Sequence, residues 1–193
     1  SRIINLAKSR MKNAMRTFKN NFSVDVYSDG TLPNQINGLQ ALISDNGTGT
    51  VGGIDSGAWP FWQNKVQSAA APLQGGAAIT PGPTTIESLM QPLRLALTRG
   101  DDMVDLIIAD NNYYSFYELS QTPLRRYTSD SSSADAAFVS LKYHKADVIF
   151  DGGSGIPANH MYFINSDYFE LVVHSQADME VWDEMRPYNQ DAA

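Results

Sequence analysis

Three glycines between residues 47 and 52 form the most literal match to a chemical motif in this chain. Together they satisfy the G-x-G-x-x-G pattern of dinucleotide-binding loops. Such a loop must open a helix whose N-terminus faces the pyrophosphate, and an acidic residue about 20 positions later must bind the ribose. Gly57 and Pro60 oppose a helix here, and no acidic residue lies between Asp55 and Glu87. We therefore interpret the segment as a glycine-rich turn and predict no cofactor site.

A nucleophile or a metal site would need spacings that the other polar residues do not have. Residues 152–154, Gly-Gly-Ser, begin like the nucleophile elbow of hydrolases, but Ile156 stands where that motif requires glycine. His144, His160 and His174 are far apart in the sequence, and none belongs to the i, i+4 pair that is typical of zinc-binding helices. The chain has no cysteine, which excludes disulfides, thiolate zinc sites and cysteine nucleophiles. We predict no metal site.

Asp101, Asp102 and Asp105 are carboxylates that could be considered for acid–base catalysis. They are closely grouped in the sequence, and roles at a helix end and in a turn suffice to explain them. The sequence therefore predicts a protein that is not an enzyme. The alternative is an enzyme whose pocket joins these acids to the histidines, and it requires the groups to converge within a few ångströms.

Charge is distributed unevenly along the 193 residues. Six of the 14 basic residues and none of the 21 acidic ones lie in the first 20 positions, although the net charge of the chain is −7. A basic segment on an acidic body favours ordered self-association or contact with nucleic acid. No apolar run approaches the roughly 20 residues needed to span a bilayer, so we predict a soluble protein without a membrane partner.

The basic segment has the periodicity of an amphipathic helix over Ile3–Phe22. At about 100° per residue, one arc of this helix carries only isoleucine, alanine, methionine and phenylalanine side chains. The neighbouring arc carries a basic stripe, Lys8, Lys12, Arg16 and Lys19. We predict that the apolar arc docks onto the rest of the chain. We expect the basic stripe to lie against acidic surface of this or an adjacent subunit, or to face nucleic acid.

An aromatic block opens a long segment that is almost without charge. Trp59, Phe61 and Trp62 surround a proline, and Lys65 is the only charged residue in 56–85. Large flat side chains beside a proline favour locking against another surface, either of the same chain or of a neighbour. The uncharged segment is too long for an idle connection, so we expect it to lie against another part of the structure.

Strand and helix patterns flank the uncharged segment. Before it, residues 39–44 have the pattern of a short strand. Thr84 and Glu87 form a capping-box pattern for a helix that bends at Pro92 and ends at Gly100. One face of that helix is predicted to be apolar, through Ile86, Leu89, Met90, Leu93 and Leu97.

The second half of the chain alternates between strand and helix patterns. Residues 105–109 have the composition of a buried strand, after which Asp110 is placed to cap an aromatic helix over Asn111–Ser120. Further strands are predicted at 137–141, 147–150, 161–165, 169–173 and 179–186. Because these elements lack regular βαβ spacing, the sequence predicts an α+β fold.

Five segments, in this order, resemble the major capsid proteins of tailed phages with the Hong Kong 97-like fold. The middle segment, which contains GGID followed by the tryptophan-rich block, is the most specific of the five. The segments are residues 3–31, 36–66, 85–117, 145–174 and 185–193. The resemblance implies a long spine helix with the start of a peripheral domain over 1–37, a mixed-sheet axial domain over 38–165, and return strands of the peripheral domain over 166–193.

The resemblance also implies a function. It predicts a structural protein of a phage or prophage head that assembles with itself into the pentamers and hexamers of an icosahedral shell. The implied partners are further copies of the chain, scaffold or portal proteins, and packaged DNA. The implied location is the virion capsid, and the host cytoplasm during assembly. Assembly contacts are expected from the basic stripe and from Trp59, Phe61 and Trp62.

The chain departs from this family at both ends. The family has an N-terminal arm and an extended loop before the spine helix, and further strand after the final segment. We therefore expect the 193-residue chain to be a core fragment that does not close a shell by itself. The alternative function is a nucleic-acid-binding module that uses the basic N-terminal helix.

Overall fold

The fold is that of a computed structural model, in which residues 2–122, 141–152 and 155–173 are described. The helices are α1 (Arg2–Asp25), α2 (Leu39–Leu42), α3 (Ile86–Leu97) and α4 (Asn111–Ser120). The strands are β1 (Thr50–Val51), β2 (Ile54–Asp55), β3 (Leu106–Ala109), β4 (Leu141–Tyr143), β5 (Ala146–Phe150) and β6 (Met161–Ile164). Two short 3-10 helices cover Pro60–Trp62 and Ser166–Tyr168.

A four-stranded sheet with the order β4-β5-β3-β6 is the centre of the described chain. Strand β3 runs parallel to β5 and antiparallel to β6, while β4 and β5 form an antiparallel pair. Among the described strands, β6 has a neighbour on one side only, so it is an edge of the sheet as described. Helices and sheets are mixed along the chain, which confirms the predicted α+β class.

Apolar side chains cover both faces of this sheet, because neighbouring residues of β3 point to opposite sides. On one face, α3 and α4 pack over a cluster that comprises Ile86, Met90, Val104, Ile107, Tyr117, Leu141, Tyr143, Ala146 and Val148. The cluster on the other face comprises Tyr27, Leu39, Ile108, Tyr162 and Ile164. The sheet with α3 and α4 is called the central body below.

Helix α4 begins and ends at the predicted residues. Its N-cap is Asp110, whose Oδ1 accepts a hydrogen bond from the Tyr113 N–H at 3.0 Å. The other carboxylate oxygen, Oδ2, accepts one from the Asn159 N–H at 2.8 Å. The cap therefore also ties α4 to the segment that leads into β6. The aromatic residues of α4 lie in or against the core, with Tyr117 only 2% exposed.

Helix α3 presents the predicted apolar face but begins later than the capping-box pattern indicates. The predicted cap at Thr84 is wrong: the N-cap is Thr85, and its side chain makes no cap hydrogen bond. The Thr85 hydroxyl instead donates to the carbonyls of Thr80 and Gly82, in the preceding turn. The helix runs through Pro92 and ends at Leu97, with Gly100 in the following turn at φ +61°.

Two predicted strands are not present. The predicted strand at 39–44 is wrong, because Leu39–Leu42 is a short helix whose Leu39 enters the core. The period of so short an apolar run could not separate a strand from one helical turn. The predicted strand at 169–173 is also wrong as an element of this chain: these residues are exposed and pair with nothing described.

The other strand predictions agree with the structure to within about one residue, for β3, β5 and β6. The predicted strand at 137–141 lies mostly outside the described residues, which enter β4 at Leu141. The predicted strand at 179–186 lies wholly outside them. Among the helices in the described ranges, none combines the length and the apolar character that a bilayer span needs.

The glycine-rich segment is a turn, as predicted. Gly52 and Gly53 connect β1 to β2 with φ values of +60° and +79°, which are the left-handed conformations that a tight hairpin turn requires. The following helix that a dinucleotide site needs is not there, since the chain continues through the hairpin to the 3-10 helix Pro60–Trp62.

Candidate functional site

Helix α1 is present as predicted, but the described residues leave the middle of its apolar face exposed. Met11, Met15 and Phe18 are 63%, 49% and 48% exposed, and the ring of Phe18 stacks on that of Phe22 at 6.4 Å. Among the described residues, the docking that the sequence predicts is found only toward the C-terminal end of the helix, where Phe22 is partly buried. An amphipathic pattern indicates that a face prefers burial, and it does not say which molecule provides the cover.

The C-terminal end of α1 is where the helix meets the body. A Cβ placed on Gly155 would lie 2.8 Å from Val24 Cα and 2.8 Å from Tyr27 Cδ2, so glycine is required for this close approach. The Leu39 N–H donates to the Val26 carbonyl at 2.8 Å. Tyr27 and Leu39 then enter the core beneath the sheet. The helix is thus fixed at one end and exposed along its length.

The basic stripe lies on the same exposed helix. Lys8, Lys12, Arg16 and Lys19 are all exposed, and none forms an ion pair with an acidic residue in the part of the chain that the structure describes. The described residues provide no acidic surface against the stripe. Its partner, whether acidic surface elsewhere in this subunit, acidic surface of an adjacent subunit or nucleic acid, stays a prediction.

The aromatic block is also exposed. Trp59, Phe61 and Trp62 are 58%, 73% and 44% exposed, and their rings contact one another edge to face at 6.1 Å and 6.3 Å. The Trp62 indole N–H donates to the Val51 carbonyl at 3.1 Å, which fixes the block to the β1–β2 hairpin. The sequence left open whether these rings pack against their own chain or against a neighbouring molecule. In the structure, the described part of the chain covers them only in part.

The polar residues that could carry catalysis occupy separate places. Asp105 Oδ1 accepts a hydrogen bond from the Ser166 N–H at 2.8 Å, and the Ser166 hydroxyl bonds to the other carboxylate oxygen. These bonds lower the pKa of Asp105 from its ordinary value, the hydroxyl contributing most. The Tyr168 hydroxyl donates to Asp102 at 3.0 Å. Both carboxylates therefore hold the segment after β6 to the residues before β3, which are long-range contacts and not the local helix-end and turn roles that the sequence predicts.

The histidines do not join these acids. His160 Nε2 lies 3.1 Å from Asp45 Oδ1, just before β6, whereas Asp105 lies just before β3. Because β3 and β6 are antiparallel, the two positions are at opposite ends of the sheet. His144 lies in the β4–β5 turn, and His174 is outside the described residues. Within the described ranges, no three acidic or histidine side chains are placed to hold a metal ion.

Buried tyrosines account for the largest pKa shifts, and their environment is structural. Burial raises the pKa of Tyr117 to about 12, and its hydroxyl donates to the Lys142 carbonyl at 2.7 Å. Burial, with a smaller contribution from Asp45, raises the pKa of Tyr162 to about 12. The Tyr162 hydroxyl is buried and has no hydrogen-bond partner among the described residues. Neither hydroxyl is accessible to a substrate, so both rings serve the core.

A groove along the free edge of β6 is a feature that the sequence analysis missed. Two adjoining cavities of about 450 Å³ and about 470 Å³ both contact Met161 and Phe163 on one side and Asn64 and Lys65 on the other. Leu93 of α3 also lines both cavities. The signal for this groove was the long uncharged segment, whose residues 64–70 lie opposite the sheet edge.

The geometry thus offers exposed apolar surfaces, an exposed basic stripe and an open sheet edge, without a convergent catalytic group among the described residues. Comparison of the chain with known protein families, curated proteins and solved structures finds no match in any of the three.

Proposed function

We propose that this chain is the major capsid protein of a tailed bacteriophage or prophage head, or the core of one. It acts by associating with copies of itself into the pentamers and hexamers of an icosahedral shell. Its working location is the virion capsid, reached by assembly in the host cytoplasm. The five sequence segments that resemble this family, with a long amphipathic helix followed by a mixed α+β body, support the assignment.

The observation that carries the proposal is the apolar surface that folding leaves exposed. Helix α1 presents Met11, Met15 and Phe18, and the aromatic block presents Trp59 and Phe61, all roughly half exposed or more. Large contiguous apolar patches are rare on monomeric proteins and mark surfaces that another molecule covers. A structural subunit whose neighbours provide that cover accounts for both surfaces, whereas a catalytic function would account for neither.

In the proposed assembly, charged side chains would orient one copy of the chain relative to the next. The basic stripe of one copy would face acidic surface of the next, because the remainder of the chain carries all 21 acidic residues. Exposed ion pairs contribute about 0–1 kcal/mol each, so they would set the register of association and the aromatic surfaces would supply most of the affinity.

Native mass spectrometry of the purified chain, combined with negative-stain electron microscopy, tests the proposal. We expect oligomers of five or six copies and ring-shaped particles. A chain that stays monomeric at about 0.1 mM, where an interface of micromolar affinity would be filled, contradicts the proposal. Neighbouring reading frames for a terminase, a portal protein and a scaffold or head protease provide an independent check on the class.

A second candidate function is nucleic-acid binding through α1. The observation that favours it is the exposure of Lys8, Lys12, Arg16 and Lys19 without an acidic partner in the described ranges. A duplex-binding module of this kind would lose affinity steeply with salt, with a log–log slope of about −3 to −4 for four phosphate contacts.

Fluorescence anisotropy with a labelled DNA duplex separates the two candidates. Sub-micromolar binding by a monomeric chain, with that slope, favours the nucleic-acid module. Substitution of Lys12 and Arg16 with glutamine should then reduce the slope by about two. Oligomers that form without DNA, and that keep forming in the same double variant, favour the structural subunit.

A further inference from the structure

Strand β6 presents unpaired backbone groups along its outer side. The Asp110 N–H donates to the His160 carbonyl, which places His160 and every second residue after it in hydrogen-bonded positions toward β3. The N–H and C=O groups of Met161 and Phe163 therefore point away from the sheet. They form no hydrogen bond to any residue that the structure describes. Such an edge is a template for one more strand.

The groove beside this edge has room and suitable walls for an extended chain. The segment that contains Asn64 and Lys65 lies opposite the edge and makes no backbone hydrogen bond to it. On the α3 side, Leu89, Met90 and Leu93 line the cavity of about 450 Å³. An added strand would direct alternate side chains to this apolar surface and pair its backbone with β6.

Residues 169–173, Phe-Glu-Leu-Val-Val, have the properties of the missing strand. Their composition is strongly β-favouring, and Phe169 has the extended φ and ψ values of −114° and 118°. Phe169, Leu171 and Val172 are 40%, 60% and 81% exposed. An apolar segment of this kind gains free energy from burial and from pairing. Within the described ranges it pairs with no strand, and of its apolar side chains only Phe169 and Val173 are more than half buried.

Charge and the unpaired state of the segment indicate a second copy as the acceptor. Glu170 is exposed on the segment, and Lys65 and Arg99 are exposed on the walls of the groove, so the two surfaces have opposite charge. Within one copy, only Phe169 of the segment contacts the cavity of about 470 Å³, while residues 170–173 stay exposed and make no backbone hydrogen bond to the described residues.

We propose that residues 169–173 of one copy add to the free edge of β6 in a second copy. This inference rests on the proposed self-assembly and names the surface through which copies engage. The donor segment and the acceptor edge are different surfaces, so the contact is heterologous and repeats head to tail. If the rotation between successive copies adds up to a full turn, the repeated contact forms a closed ring.

Disulfide trapping tests this contact without background, because the chain has no cysteine. Lys65→Cys and Glu170→Cys are prepared as separate full-length variants, mixed and oxidised mildly. The covalent heterodimer is measured by non-reducing gel electrophoresis and mass spectrometry. The control replaces Glu170→Cys with Leu32→Cys, an exposed position outside the segment. We expect at least about tenfold more heterodimer than in the control, since docking raises the effective concentration of the thiols.

A strand-breaking variant provides a second measurement. Val172→Pro removes a backbone donor from an exposed position, so it should leave folding unchanged while weakening association by about tenfold or more. Val172→Ala, which keeps the donor, should associate much more strongly than the proline variant. Circular dichroism of both variants checks that the body stays folded.

The outcomes distinguish this contact from the proposed function. Wild-type oligomers with no excess cross-link over the control, or oligomers unaffected by Val172→Pro, overturn the strand exchange and leave self-assembly standing. Cross-linking only within single copies of a Lys65→Cys/Glu170→Cys double variant overturns it as well. A wild-type chain that stays monomeric contradicts both proposals.

Discussion

The central body and helix α1 carry apolar side chains of the same kinds but differ in what covers them. In the body, Met90 of α3 is 2% exposed and Ile107 of β3 is fully buried. On α1, Met15 and Phe18 remain about half exposed. The body has two layers that bury each other's apolar faces, whereas the contacts described between α1 and the body lie at the last turn of the helix.

This difference distinguishes apolar residues that stabilise the folded chain from apolar residues that are available to contact another molecule. Burial of a large apolar side chain contributes about 1.5–3 kcal/mol, and it does so only when something excludes water from that side chain. The body obtains that contribution within one copy. The apolar face of α1 and the aromatic block would obtain it on association, which is why we assign them to assembly.

A matched pair of methionine substitutions tests this division and has the largest expected effect. Met90→Ala should lower the free energy of unfolding by about 2–5 kcal/mol, because it leaves a cavity in the core. Met15→Ala, in the same type of helix, should change it by no more than about 0.5 kcal/mol. Urea unfolding of the two variants in dilute solution measures both values. Equal destabilisation would show that α1 is covered within one copy.

Removal of the two tryptophans tests the other side of the comparison. The Trp59→Ala/Trp62→Ala variant should fold, because both rings lie outside the core and are 58% and 44% exposed, and it should associate at least about tenfold more weakly than the wild type. Sedimentation velocity measures the association, and circular dichroism checks the fold. Leu73→Ala, at another exposed apolar loop position, is the control. Wild-type association in the double variant would remove the aromatic block from the proposed assembly surface.

The Asp110 cap should have an intermediate effect within the body. Asp110→Ala removes the acceptor for the N–H groups of Tyr113 and Asn159 and should cost about 0.5–2 kcal/mol of stability. Asp29→Ala is the control, since Asp29 accepts from Thr31 in an exposed turn. Thermal unfolding compares the two variants. A loss no larger than that of the control would mean that the cap does not anchor α4 to the sheet.

Two buried tyrosines give the smallest and most discriminating test of the body. Tyr117→Phe loses the bond to the Lys142 carbonyl and should cost about 1 kcal/mol, whereas Tyr162→Phe removes an unpartnered hydroxyl and should be neutral or stabilising. The pKa of Tyr117 is raised from its ordinary value of 10.0 to about 12 in the folded protein. The neutral hydroxyl therefore makes its whole contribution to the free energy of unfolding below pH 10, and that contribution is lost as the pH rises toward 12.

Urea unfolding between pH 8 and about pH 12 reports this alkaline loss. Tyr117→Phe should reduce the pH dependence above pH 10 by the contribution of one tyrosine, because phenylalanine has no proton to release and the other buried tyrosines still titrate. The wild-type slope in the Tyr117→Phe variant would contradict the burial that raises the pKa of this residue.

Elements with strong local signals were predictable from the sequence. Helix α4 begins directly after Asp110, whose cap is a contact with the third residue along the chain and needs no distant partner. Strands β3, β5 and β6 are short apolar runs between turns, and all three were predicted to within about one residue. The periodicity of α1 predicted its existence and its two faces.

Features that depend on distant partners were not predictable. Residues 39–44 are apolar in any conformation, and only their contact with the sheet decides that Leu39–Leu42 is helical. The β6 groove forms between segments that are about a hundred residues apart, so no local pattern indicates it. The candidate assembly residues were identified as a set by type and spacing, but their exposure had to be observed.

The sequence alone determined the amphipathic helix, the aromatic block, the uneven charge and the failure of each catalytic motif, because spacing and residue type are local properties. The tertiary structure decided which apolar faces the chain buries by itself and which it leaves exposed. Burial depends on how surfaces match across the whole fold. The periodicity of the sequence shows only that one face of an element is apolar and is stabilised by burial.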